Sequence, residues 1–204
     1  MTRSAVVFDF GNVLITWNMR FLYENVIDDD EALDEFLSTV WTSEMNDQCD
    51  RGRPIAEVIA ELSDRHPRWA DQIAEFAPDR RWIETIGPEV AGSAELVGDL
   101  AEAGYRLLGL SNFSAETFPL VHTRYPVFDH FEDIVLSGQV GVAKPDPEIF
   151  ELLCERNGIE PADAVFLDDA PTNTAAAREL GFAAITFTDA GTARRELELY
   201  DIRV

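Results

Sequence analysis

Positive charge is scarce in this chain: its 204 residues carry 16 Lys plus Arg against 39 Asp plus Glu, a net charge of -23. Such a surface repels polyphosphate backbones and anionic bilayers, which argues against nucleic acid and membrane partners. Cysteine is equally sparse. Cys49 and Cys154 lie far apart and form neither a CxxC pair nor a disulfide framework, the pattern of buried thiols in a reducing compartment. Long apolar runs are missing too. The N-terminal run stops after four residues at Asp9, far short of a signal-peptide core or a spanning helix, so the expected location is the cytoplasm. No internal repeat or low-complexity tract is visible. His66, His122 and His130 show no zinc or metalloprotease spacing, and no Gly-x-Ser-x-Gly elbow occurs.

What is present is an ordinary globular composition, 46% hydrophobic and 27% charged, which excludes disordered and fibrous classes. A chain of this length buries roughly 70% of its unfolded surface and needs no staples. Apolar runs at Ala5–Phe8, Tyr105–Leu110, Asp133–Leu136, Ala164–Leu167 and Ala183–Phe187 each end in polar or acidic residues, as buried strands opening into loops do. Between them lie helical stretches with legible ends. Glu95–Ala103 closes at Gly104, Asp146-Pro147 opens a helix that closes at Asn157-Gly158, and Pro171–Leu180 closes at Gly181.

This alternation predicts an α/β fold, a Rossmann-like parallel sheet covered on both faces, with its ligand site beyond the carboxyl ends of the strands. One stretch breaks the rhythm. From about Thr16 to Gly87 there are only short amphipathic segments, such as 30–40 and 54–62, so residues 16–87 are read as an inserted helical cap. Residues 1–15 and 88–204 form the core in this reading. All four tryptophans, Trp17, Trp41, Trp69 and Trp82, fall in the insertion, where they either pack a small helical layer or stack on a substrate.

The strand ends bring together Asp9, Ser111-Asn112, Lys144 and the adjacent pair Asp168-Asp169. Several carboxylates at one point suit a hard cation such as Mg²⁺. With phosphate charge balanced by the metal and Lys144, a carboxylate can attack phosphorus and form an acyl phosphate, and Asp9 is the best-placed nucleophile. Lys144 is also the single lysine among the 16 basic residues. A compact ammonium fits a cramped site that the broad guanidinium fork does not. The nearby Gly138-Gln139-Val140-Gly141-Val142-Ala143-Lys144 fails as a phosphate-binding P-loop, because Pro145 follows the lysine.

Four segments, Val6-Val7-Phe8-Asp9-Phe10-Gly11-Asn12-Val13-Leu14, Leu110-Ser111-Asn112, Val142-Ala143-Lys144-Pro145-Asp146-Pro147-Glu148-Ile149-Phe150 and Phe166-Leu167-Asp168-Asp169-Ala170-Pro171-Thr172-Asn173, resemble the four motifs of the haloacid dehalogenase-like hydrolases. The resemblance runs over essentially the whole chain. It is nearest the branch with a helical cap between the first two motifs, which includes bacterial glucose-1-phosphate phosphatases and the phosphatase domain of soluble epoxide hydrolase. It implies a nucleophile at Asp9, substrate phosphate contacts from Ser111 and Asn112, and a charge-balancing Lys144. It further implies Mg²⁺ held by Asp9, the carbonyl of Gly11, and Asp169 with Asp168 close by, and a supporting Asn173.

One position departs from the pattern. The phosphatases of this superfamily usually carry a second aspartate two residues after the nucleophile as acid and base, and Gly11 stands there. Glycine keeps the carbonyl that a metal uses and lacks the carboxyl. Glu44, Asp47 and Asp50 of the insertion are candidate substitutes, or the substrate has a leaving group that departs easily. The stretch Asn46–Arg53 is either a specificity loop, with Arg51 or Arg53 on a second anionic group, or a surface turn.

The expected activity is Mg²⁺-dependent hydrolysis of a small phosphorylated metabolite, a sugar phosphate first among them. Two alternatives remain: a 2-haloacid dehalogenase, in which Asp9 displaces halide without a metal, and a silent binding protein that keeps the fold. Dehalogenases of the superfamily typically have tyrosine at the departing position and lack the adjacent acidic pair.

Overall fold

A computed structural model describes residues 4–204. Strands β1 (Ala5–Phe8), β4 (Arg106–Ser111), β5 (Asp133–Leu136), β6 (Ala164–Asp168) and β7 (Ala183–Thr186) form one parallel sheet in the order β5-β4-β1-β6-β7. The chain runs outward from β1 to β5, then crosses back to β6 and on to β7. The sheet therefore reverses its winding beside β1, where open parallel sheets form a crevice. Short strands β2 (Ile15–Trp17) and β3 (Ile86–Glu89) pair antiparallel as a separate ribbon.

Between the two ribbon strands the chain is helical: α1 (Met19–Tyr23), α2 (Asp30–Thr39), α3 (Ser43–Asp50), α4 (Ile55–Arg65) and α5 (Ala70–Ala74). The remaining helices are α6 (Ser93–Glu102), α7 (Phe118–His122), α8 (Ser137–Val140), α9 (Pro147–Asn157), α10 (Pro171–Glu179) and α11 (Ala190–Glu198). Among the described residues, no helix is long and apolar enough to cross a membrane.

Strand alternation divides the core into two apolar layers. Ala5 and Val7 of β1 share one face with Phe166, and Ile149, Phe150 and Leu153 of α9 cover it. Val6 and Phe8 point the other way, into a layer that includes Leu96, Val97 and Leu100 of α6 and Leu197 of α11. That second layer continues into the helical insertion through Leu22, Phe36, Val58 and Phe76. Phe10 lies across β4 so closely that a Cβ on Gly109 would stand 2.4 Å from its ring, which explains a glycine in the middle of a buried strand.

Element order follows the sequence pattern, while several bounds differ: α6 runs Ser93–Glu102 rather than 95–103, β6 extends to Asp168, and α7, α8 and α11 add helices that the pattern did not mark. β4 begins at Arg106 because Tyr105 donates its N–H to the Leu100 carbonyl at 3.1 Å and so closes α6. β7 ends at Thr186 rather than Phe187. The ribbon was not legible: its strands are three and four residues long, and β3 contains Gly87 and Pro88.

Candidate active site

Asp9 is the first residue past β1, Ser111 closes β4 and Asp168 closes β6. These three strands are neighbours in one parallel sheet, so their side chains emerge together at its carboxyl edge. Lys144, from the loop after α8, reaches into the same point. Its side chain has no exposed surface, and Nζ donates to Asp9 Oδ1 at 2.8 Å, Asp168 Oδ2 at 2.6 Å and the Leu110 carbonyl at 2.8 Å. All three ammonium protons are thereby committed. Burial alone would lower the Lys144 pKa, but Asp9 and Asp168 outweigh it and hold it above the ordinary lysine value.

The Ser111 hydroxyl also donates to Asp9 Oδ1, at 2.8 Å. Oδ1 is thus fixed by two donors, while Oδ2 has no hydrogen-bond partner among the described residues. Burial pushes the Asp9 carboxyl up to about 6, with Lys144 pulling against it and Asp168 adding to it.

Two expected site residues brace the lysine and its partner Asp168. Asn112, expected to contact a substrate phosphate, lines the cavity over Asp9, and its side chain grips the Lys144 backbone at both ends. Nδ2 donates to the Lys144 carbonyl at 2.9 Å and Oδ1 accepts the Lys144 N–H at 2.8 Å. Asn173, expected as a supporting residue, donates its amide to both oxygens of Asp168 at 3.0 Å. Asp168 Oδ1 also accepts the Ala170 N–H at 2.8 Å. Each Asp168 oxygen therefore already meets two donors, which fills the capacity of a carboxylate.

Asp169 is held differently. Its Oδ2 accepts from Asn12 Nδ2 at 3.2 Å, and burial raises its pKa with that hydrogen bond opposing. Asn12 sits at φ 55 in the loop after Gly11, where its own Oδ1 accepts the Trp17 N–H at 3.2 Å. Carboxylate oxygens of Asp9, Asp168 and Asp169 lie within 4.8 Å of one another. Three carboxylates against one ammonium leave a formal charge of -2 in a partly buried place. Oxygen donors with that excess fit a divalent hard cation, and Asp9, Asp169 and the Gly11 carbonyl are the groups with capacity left to hold one.

A cavity of about 180 Å³ opens over Asp9, Gly11, Asn12, Ser111 and Asp169. The helical insertion and its flanks supply the opposite wall, with Trp17, Asp50, Ile55, Phe76 and Trp82, joined by Phe113 of the core. Sequence reasoning missed Phe76 and Phe113, since an aromatic in a helix or loop carries no sign of facing a cavity. The tryptophans divide by position. Trp17 and Trp82 line the cavity, whereas Trp41 packs on Phe76 at 4.1 Å and Trp69 on Phe36 at 5.3 Å between ring centres.

The arginines of the 46–53 stretch do not line the cavity. Arg51 pairs with Asp47 at 2.9 Å and with Asp146 of the core at 2.8 Å, and Arg53 pairs with Glu61 at 2.6 Å. Their charge is matched by carboxylates, which leaves little to attract a second anionic group. Of the three acids singled out in the insertion, Asp50 lines the cavity, Asp47 pairs with Arg51, and Glu44 is exposed.

The sequence profile of the haloacid dehalogenase-like hydrolases matches residues 4–181. Over 193 residues, 92% of this chain and 91% of the relative, the chain is 28% identical to a sesquiterpene phosphatase of Aspergillus oryzae. It is 46% identical over 69 residues to the bifunctional epoxide hydrolase 2 of Sus scrofa, a match that spans 34% of this chain and only 12% of that longer protein. A HAD family enzyme of Bacteroides thetaiotaomicron, solved with magnesium and inorganic phosphate, superposes with a TM-score of 0.70 at 24% identity, covering 92% of this chain and 95% of that one. The fold, the four motifs in order and the profile match agree, and the chain belongs to the haloacid dehalogenase-like hydrolases.

Proposed function

We propose that this hydrolase is a magnesium-dependent phosphatase that cleaves a small phosphorylated metabolite through an aspartyl-phosphate on Asp9. The observation that carries the reading is the asymmetric clamp on Asp9. Oδ1 is held by Ser111 and Lys144, so Oδ2 is the oxygen aimed for attack, and holding it in place supplies the positioning that phosphoryl transfer requires. Lys144 balances the charge of Asp9 and is itself held by Asp168 and Asn112, with Asn173 supporting Asp168. Asp9, the Gly11 carbonyl and Asp169 would hold Mg²⁺, with Asn12 orienting Asp169. When bound, the metal supplies charge that offsets the carboxylates and the phosphate oxygens. Ser111 stands beside Asp9, where its hydroxyl can contact a substrate phosphate.

In this reading residues 16–87 act as a cap over a core of residues 1–15 and 88–204 and choose the organic part of the substrate. The cavity wall opposite Asp9 is largely aromatic and aliphatic, and Arg51 and Arg53 are paired elsewhere. A substrate with one phosphate and an uncharged organic group fits. Sugar monophosphates are the first candidates, and the similarity to a sesquiterpene phosphatase adds isoprenoid monophosphates to the set.

The excess of two negative charges at the strand ends favours this over metal-free dehalogenation. The test is phosphate release from p-nitrophenyl phosphate and from both substrate groups, with Mg²⁺ or EDTA, for wild type and Asp9→Asn, alongside halide release from 2-chloropropionate. Mg²⁺-dependent release abolished by Asp9→Asn is the expected result. Metal-independent halide release without phosphate release would establish the dehalogenase, and silence in both assays the binding protein.

A further inference from the structure

We infer that Asp50 is the acid–base residue of the reaction, bringing from the helical insertion the carboxyl group that position 11 lacks. The inference rests on the phosphatase reading above. A phosphatase that works through an acyl phosphate must protonate the departing alkoxide and later take a proton from the attacking water. Four titratable side chains line the cavity: Asp9, Asp169, Asp50 and Cys49. Asp9 is assigned to attack and Asp169 to the metal. Burial pushes the Cys49 thiol up to about 12, which removes it from acid–base work near neutrality. Asp50 is the group left.

Its position is fixed from three sides. The Ser137 hydroxyl donates to the Asp50 carbonyl, Arg51 bonds Asp146 at 2.8 Å, and Gly52 lies so close to Gly138 that an added Cβ would stand 3.0 Å from its carbonyl oxygen. Three consecutive residues of the insertion are thus tied to the core. The Asp50 carboxylate is oriented by Asn46, whose Nδ2 donates to Oδ2 at 2.7 Å. Gly11 lines the same cavity, and the space at it is open, for a Cβ built there meets nothing within 4 Å. A leaving group or a water has room in the cavity of about 180 Å³ that Asp9 and Asp50 both line.

Burial pushes the Asp50 carboxyl up to about 8, with the negative charges of Asp47 and Asp9 adding to it and the Ser114 amide and Asn46 opposing. Near neutral pH the group carries a proton to give. In the first step Asp9 Oδ2 bonds to phosphorus, the ester P–O bond breaks, and the Asp50 proton goes to the departing oxygen, yielding the alcohol and aspartyl-phosphate. In the second, Asp50 takes a proton from water as the water oxygen bonds to phosphorus. The P–O bond to Asp9 breaks, releasing inorganic phosphate and restoring both carboxyl groups.

The experiment compares wild type, Asp50→Asn and the double variant Asp50→Asn/Gly11→Asp on p-nitrophenyl phosphate and on a sugar phosphate. p-Nitrophenolate departs without a proton, whereas a sugar alkoxide does not. Asp50→Asn should lose on the order of 10²–10⁴-fold on the sugar phosphate. With p-nitrophenyl phosphate it should give a burst of about one nitrophenolate per active site followed by slow turnover, because only dephosphorylation then lacks its base. Gly11→Asp in that background should restore turnover at least tenfold. Equal loss on both substrates without a burst would assign Asp50 a purely structural role, and wild-type turnover by Asp50→Asn would overturn the inference while leaving the phosphatase reading intact. A wild type silent on every phosphate ester would overturn both. Circular dichroism melting checks that Asp50→Asn is folded.

Discussion

Lys144 and Asp168 meet at 2.6 Å with neither side chain exposed, and the same ammonium reaches Asp9 at 2.8 Å. A lysine buried between two carboxylates and a carbonyl explains why the single lysine of the chain stands here. An ammonium fits a three-acceptor pocket that a guanidinium would have to force apart. Lys144→Met leaves two carboxylates buried without a counter-charge and should cost about 3–5 kcal/mol in urea unfolding. Lys144→Arg keeps the charge but overfills the pocket, at a cost of about 1–3 kcal/mol, and should also lose phosphate release. If Lys144→Arg unfolds and turns over like wild type, the size argument fails.

Much of this site could be read from the chain because the strands announce themselves. Val6-Val7-Phe8, Leu107-Leu108 and Val165-Phe166-Leu167 are apolar on both faces, and each run ends in a residue that must face solvent or a ligand. Parallel pairing then sends those ends to one place. What the chain does not announce is which partner a polar side chain takes. Asp168 and Asp169 are adjacent and identical, yet one closes a strand and faces Lys144 while the other faces the cavity and Asn12. Arg51 looks free in a glycine-bearing turn, and its partner Asp146 lies 95 residues away.

That difference between the two aspartates predicts a split in metal binding. If Asp169 holds the cation as proposed, Asp169→Asn should abolish the stabilisation by Mg²⁺ expected of wild type, about 2.7 kcal/mol when Mg²⁺ is at a hundredfold excess over its Kd. Asn173→Ala removes only the support of Asp168. It should keep the Mg²⁺-induced stabilisation and lower kcat by roughly 10–100-fold, as outer supports of a metal site do. Calorimetric titration with Mg²⁺ gives the affinities directly, and equal loss of affinity in the two variants would contradict the division.

The acidic site also gives stability a pH dependence. Asp9 is raised to about 6 and Asp50 to about 8, both from 3.8. Between the ordinary and the raised values the folded state binds more protons than the unfolded chain, so the stability these groups contribute is present at low pH and lost as pH rises through 6 and 8. In EDTA, urea unfolding of wild type should weaken from pH 5 to pH 9. Asp50→Asn removes one titrating group and should flatten that decline, most between pH 6 and pH 8. An unchanged slope would show that Asp50 keeps an ordinary pKa.

The insertion meets the core through an exposed ion pair and a tight backbone contact, and these should behave differently. Arg51 and Asp146 are 37% and 44% exposed at their side chains, so a double-mutant cycle should give a coupling of only about 0.2–1 kcal/mol. Gly52 sits at φ +92, where a side chain is strained, and a Cβ there would press on the Gly138 carbonyl at 3.0 Å. Gly52→Ala should therefore cost about 1–3 kcal/mol and push residues 50–52 off the core. Because that displacement moves Asp50 and not Asp9, the variant should lose turnover on a sugar phosphate and, like Asp50→Asn, show a p-nitrophenolate burst that wild type lacks. Arg51→Ala should leave both nearly unchanged, since Gly52 and the Ser137 hydroxyl still hold the segment. A Gly52→Ala variant that turns over sugar phosphates like wild type would mean that the backbone contact at 52 does not set the aim of Asp50.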